Sequence, residues 1–106
     1  TQNIDGLHQK AGSEKVYELH GTIMKNYCMK CGQFYDLDYV TASEGVPRCE
    51  KCGGMVKPDV VLYEEGLDDT TISKSVRAIA EADVLIIGGG MAGLLTAHFL
   101  RENTVP

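Results

Sequence analysis

Apolar positions change their period along the chain, and each change marks an element. Val16 and Leu19 flank polar Tyr17 and Glu18 in a loose alternation that predicts a short strand over 15–19. A β-rich run, Val60 to Tyr63, follows Pro58, a residue that breaks any helix. In "LDDTTISKSVRAIAEAD" the apolar residues Ile72, Val76, Ile79 and Ala80 recur at spacings of three and four. That predicts a helix, capped by Asp68 or Asp69 and ended by Asp83. "VLII" at 84–87 is a continuous apolar run suited to a parallel strand covered on both faces. Ala92 to Glu102 is helical again. The opening "TQNIDGLHQKAGS" is loop-like, with Asn3, Asp5 and Gly6 as turn formers and a short helical turn in "GLHQKAG". Helix, apolar strand, glycine turn and helix make half of a βαβ layout, so the expected class is α/β.

Composition narrows this picture. A chain of 106 residues bounds the answer to one domain with a modest core. With 43% hydrophobic and 24% charged residues, the composition is that of a globular protein. The net charge of −5 argues against nucleic acid or an anionic membrane as partner and leaves basic protein tails open. The polar opening lacks the apolar core of an export signal, and no apolar run is long enough to span a bilayer, so the expected location is cytoplasmic.

The four cysteines form two C-x₂-C pairs, "CMKC" at 28–31 and "CEKC" at 49–52, with 17 residues between them. Two disulfides are the alternative, but without an export signal this spacing favours a thiolate quartet around Zn²⁺. Four protein thiolates leave no open position for water, so the predicted role of Cys28, Cys31, Cys49 and Cys52 is structural. For a short chain, such a metal replaces core that is missing.

Other residues offer chemistry. Gln2, Asn3 and Asp5 concentrate amide and carboxylate groups of the kind a carboxamide ligand requires, although an Asn/Asp turn is the commoner explanation of such a stretch taken alone. His20, in "ELHG", at the end of the expected short strand and next to a glycine, is a candidate general base, with an ordinary structural role the commoner reading of such a residue taken alone. For His8 and His98, packing or surface roles fit better.

Taken together, "TQNIDGLHQKAGS", "ELHGT", the paired C-x₂-C, "KPDVVLYEE" and the "AD-LIIGG" stretch resemble a sirtuin over residues 1–89, in both order and spacing. The family consists of NAD-dependent protein deacetylases. The resemblance implies a partial Rossmann-like sirtuin core with a small four-cysteine zinc-ribbon module. Residues 1–26 would be part of the NAD and catalytic segment, 27–57 the zinc module, and 58–106 the return to the Rossmann-like part, with the tail after 89 atypical. It further implies that Gln2, Asn3, Asp5, Gly88 and Gly89 bind NAD, and that His20 is the catalytic base. Val60, Val61 and Tyr63 would pair with the substrate and flank an acyl-lysine tunnel. The implied reaction moves the acetyl group of an acetyl-lysine protein or peptide to ADP-ribose and releases nicotinamide. The cofactors implied are NAD and structural Zn²⁺.

Three departures accompany the resemblance. Where the family commonly has Phe-Gly-Glu, this chain has Tyr63-Glu64-Glu65. The glycine-rich strand–turn–helix and the acidic–Phe–Arg segment that open a sirtuin do not occur, which implies an incomplete NAD site and weak or no activity for this chain alone. After Gly89, where the family continues with Thr and Ser, the chain reads Gly90-Met91-Ala92-Gly93. Gly88-x-Gly90-x-x-Gly93 resembles the start of an FAD- or NAD-binding Rossmann oxidoreductase. The alternatives to a deacetylase portion are therefore a stand-alone zinc-ribbon peptide-binding module and a fusion to such an oxidoreductase unit.

Overall fold

A computed structural model describes residues 1–103. The chain divides into two compact units, Thr1–Ser75 and the residues from Val76 onward.

The first unit is built on a three-stranded antiparallel sheet in the order β2-β1-β3: β1 is Gly21–Cys28, β2 Phe34–Tyr35 and β3 Val56–Val60. Strand β1 buries Asn26 and Cys28 and exposes Lys25 and Tyr27, the period of two that a strand with one covered face requires. Thr22 is buried as well, but Met24, of the same parity, is exposed where the pairing is irregular. Its pairing with β3 shifts register between Thr22 and Asn26. The buried Asn26 amide nitrogen caps this irregularity by donating to the carbonyls of Ile23 (3.0 Å) and Tyr35 (3.4 Å). A polar residue on the inward face explains why the hydrophobic pattern does not announce this strand.

Two short helices flank the sheet: α1 (Leu7–Lys10) and α2 (Leu37–Ala42). Helix α2 is started by Asp36, whose carboxylate accepts the Tyr39 N–H at 2.9 Å. The buried core consists of Cys28, Tyr35, Cys49 and Val56, with Tyr39, Val40 and Cys52 packed against it. The cysteine cluster thus sits where a larger protein would place aliphatic side chains.

Two strand expectations need correction here. Residues 15–19 are not a strand: Leu19 N–H reaches the Thr1 carbonyl (2.9 Å), but Gly21 N–H turns back to Glu18 (3.0 Å), and regular pairing begins only at Gly21. The run Val60–Tyr63 belongs to the sheet only through Val60. Beyond it the Leu62 N–H is taken by the Glu65 carboxylate (2.9 Å) and Glu64 adopts φ 67°, so the ladder cannot continue. Pro58 is accommodated inside β3 because that strand lies at the sheet edge.

Helix α3 (Asp69–Glu81) begins in the first unit and continues into the second. Asp68 is its cap, accepting both the Thr71 N–H and the Thr71 hydroxyl at 2.7 Å. Val84–Ile87 is not a strand, contrary to its apolar pattern; Ile87 is 87% exposed. A strand needs a neighbour to complete its hydrogen bonds, and among the described residues none pairs with this segment. Helix α4 (Met91–Asn103) extends one residue past each expected end. It buries no residue, and Leu94, Leu95 and Phe99 are exposed.

Candidate active site and metal centre

The two cysteine pairs adopt one backbone form twice. Gly32 N–H donates to the Cys28 carbonyl (2.9 Å) and Gly53 N–H to the Cys49 carbonyl (2.8 Å). Cys28 N–H donates to Gln33 O (2.9 Å) and Cys49 N–H to Gly54 O (2.7 Å). Gly32 and Gly53 hold φ values of 74° and 72°, left-handed geometry that folds each knuckle back at little cost only for glycine. The Met29 N–H to Met55 carbonyl bond (2.8 Å) ties the two knuckles together.

This geometry brings all four Sγ atoms within 4.8 Å of one another, with Cys28–Cys52 at 3.4 Å and Cys31–Cys49 at 3.6 Å. A tetrahedral Zn²⁺ with Zn–S of about 2.3 Å has S···S edges of about 3.8 Å. The residues fit the ion, and the four cysteines are positioned to bind structural zinc. All four are free thiols, none joined in a disulfide. Their acidities diverge. The Tyr35 hydroxyl, then nearby backbone N–H groups, overcome burial to bring Cys49 down to about 6. The Gly54 N–H favours the Cys52 thiolate, but burial and the neighbouring sulfurs outweigh it and push that thiol up to about 12. Four sulfurs this close cannot all ionise without a cation among them, which is the electrostatic demand a divalent metal meets.

Sheet and loops also build a pocket of about 740 Å³. Its wall includes Gln2, Asn3 and Asp5 from the opening segment, His20 from the turn before β1, and Val60, Val61 and Tyr63 from the end of β3 and beyond. Segments far apart in sequence are joined by two backbone bonds: Ile23 N–H to Ile4 O and Val61 N–H to His20 O, both 3.0 Å. His20 is half-buried. The glycine after it is required by close approach, because a Cβ on Gly21 would lie 1.9 Å from the Asp59 carbonyl oxygen. Asp5 accepts the Leu7 N–H at 3.0 Å, so part of its carboxylate organises the loop. Tyr63 is fully exposed at the rim.

The pocket wall also holds Glu64 and Glu65, which residue-by-residue reading did not single out. Glu65 braces the loop: it accepts the Leu62 N–H and pairs with Lys57 at 3.4 Å, and these contacts, in that order, hold its carboxyl below the usual range. Its signal in the sequence was its position three residues beyond Leu62. Glu64 occupies the left-handed conformation where the family pattern has glycine, so the turn survives the departure. Gly88 and Gly89 lie in the second unit, before α4, with Gly88 at φ 90°. The pocket wall thus offers amides, carboxylates and an imidazole.

The model of the Sir2 family matches residues 1–93. An NAD-dependent protein deacetylase of Clostridium acetobutylicum is 70% identical over 90 residues, 84% of this chain and 37% of that protein. One from Clostridium perfringens is 56% identical over 111 aligned positions, 99% of this chain and 46% of that protein, which carries the similarity past Gly89. The chain therefore spans less than half the length of these relatives. Among solved structures, Sir2 in complex with the inhibitor EX-527, 2′-O-acetyl-ADP-ribose and a deacetylated p53 peptide superposes with a TM-score of 0.71 at 32% identity. That match covers 95% of this chain and 46% of the other. Sir2Af2 bound to a myristoylated histone peptide gives 0.68 at 42% identity, covering 79% of this chain and 37% of the other. The chain belongs to the Sir2 family.

Proposed function

We propose that the chain is the zinc-module and catalytic-base portion of an NAD-dependent protein lysine deacetylase. The observation that carries the reading is the convergence of residues 2–5, His20 and residues 60–63 on one pocket. Family membership supplies the reaction class.

In this reading Gln2, Asn3 and Asp5 orient the nicotinamide carboxamide and its ribose, and Gly88 and Gly89 serve the nucleotide. The imidazole of His20 takes the proton from a ribose hydroxyl, from a position fixed by the bond between its carbonyl and Val61 N–H. NAD, when bound, would supply the electrophilic ribose carbon, which exchanges its bond to nicotinamide for one to the acetyl-lysine oxygen. Val60 and Val61 offer main chain to an extended peptide, so affinity depends little on its sequence, while Tyr63 flanks the acyl-lysine. Functionally the chain divides into 1–26 (NAD and catalysis), 27–57 (zinc module) and 58–106 (substrate strand and the return to the nucleotide-binding part). Acetylated proteins or peptides are the partners. No helix among the described residues is long and apolar enough to cross a membrane, and a cytoplasmic location is proposed with the rest.

The test joins this chain in frame to the remaining portion of the Clostridium acetobutylicum relative and follows nicotinamide release from NAD with an acetyl-lysine peptide. Turnover is expected in the joined protein, near background in the chain alone, and at least about 10²-fold reduced in His20→Ala. A joined His20→Ala protein with full turnover would contradict the assignment.

A further inference from the structure

The two knuckles share their backbone form but not their surroundings. Cys28 receives the Lys30 N–H of its own knuckle at 3.4 Å. Cys49 receives, in addition, a donor from another element. The Tyr35 hydroxyl, at the end of β2, lies 3.2 Å from Cys49 Sγ and accepts the Glu50 N–H at 2.9 Å. With its oxygen engaged by Glu50, the phenol directs its single proton at the sulfur. Tyr35 is 8% exposed and Cys49 3% exposed, so water does not compete for this bond.

A second tyrosine supports the first. The Tyr39 ring packs on that of Tyr35 with centroids 4.3 Å apart, and the Tyr39 hydroxyl donates to the Arg48 carbonyl. The Asp36 cap sets this arrangement, because it fixes the first turn of α2 on which Tyr39 stands. Two phenols from residues 35–39 therefore grip residues 48–50 through three hydrogen bonds, one at a sulfur and two at the backbone.

We infer that Tyr35 is a positioning residue of the metal centre, whose O–H···S bond holds Cys49 in place and draws charge from its thiolate, while Tyr39 only steadies the ring. Groups that hydrogen-bond to metal ligands orient them and tune their donor strength. Here the donor comes from outside the knuckle, so the β2–α2 segment governs how tightly the second knuckle keeps its ion. The inference rests on the quartet binding a metal and is independent of the deacetylase reading.

The test titrates the full 106-residue chain with Co²⁺ and then with Zn²⁺ against a chromophoric chelator, in wild type, Tyr35→Phe and Tyr39→Phe. Both variants retain a ring. Spectra are recorded at saturating Co²⁺, so each variant is read in its metal-bound form. Tyr35→Phe is expected to bind Zn²⁺ about 10–100-fold more weakly and to move the sulfur-to-cobalt charge-transfer band to longer wavelength. Tyr39→Phe is expected to lose less affinity and leave the band in place. Unchanged affinity in Tyr35→Phe, a loss without a band shift, or an equal shift in Tyr39→Phe would each overturn the inference. A wild-type chain lacking the four-sulfur band would overturn the metal centre itself, and the inference with it.

Discussion

The cysteine module buries apolar side chains; the tail from Val84 onward, richer in apolar residues, buries none among the described residues. Cys28, Tyr35, Cys49 and Val56 close around one another, whereas Val84, Leu85, Ile87, Leu94, Leu95 and Phe99 are exposed. The difference lies in where each segment finds its partners. The module's contacts are local: two knuckles, a three-stranded sheet and two tyrosines all fall within 21–60. The tail's helix is held by its own backbone, and its apolar run finds no strand to pair with among the described residues. A metal-ligating cluster makes a small region self-sufficient; an amphipathic or apolar segment only states a need for a neighbour.

The sharpest way to break this contrast is at Gly21. Alanine there is expected to cost about 3 kcal/mol, through strained positive φ and collision with the Asp59 carbonyl, and to displace His20. Urea unfolding followed by circular dichroism reads it, and a variant as stable as wild type would mean that β1 and β3 are not held at this register. A smaller effect is expected at the pocket rim. Because the Leu62 N–H, and then Lys57, lower the pKa of Glu65, its stabilisation is complete above the ordinary value of 4.5 and fades as pH falls through its lower folded value. The Leu62 amide resonance should titrate with a midpoint below 4.5; a midpoint at or above it would place the carboxylate elsewhere. The smallest effect is expected in the tail, where Phe99→Ala should change stability by less than about 0.5 kcal/mol in this chain. A loss of several kcal/mol in the same urea titration would show that the ring is buried in solution.

The same contrast decides what could be read in advance. The paired C-x₂-C announced the quartet because its chemistry is written in residue identity and spacing alone. The cap at Asp68 and the helix it begins were legible because both depend on neighbours in sequence. Strand β1 was not, because Asn26 sits on its covered face for hydrogen bonding and breaks the apolar alternation. The expected strand at 84–87 failed for the opposite reason: its pattern is right, but pairing is a property of two segments, and the pattern names only one. Of the pocket, every residue at 2–5, 20 and 60–63 that the family pattern singled out lies in the wall, while the brace by Glu65 emerged only once the loop geometry was known.

The central claim is that the metal-held module sets the geometry of the pocket through β1 and β3. Residue-resolved amide exchange with zinc bound, and again after a strong chelator, tests it most directly. The account predicts that the Ile23 and Val61 amides, whose bonds to Ile4 and His20 join the pocket walls, lose their protection with the metal. Amides within α4 should be unchanged. Full protection of Ile23 and Val61 in the metal-free chain would contradict it.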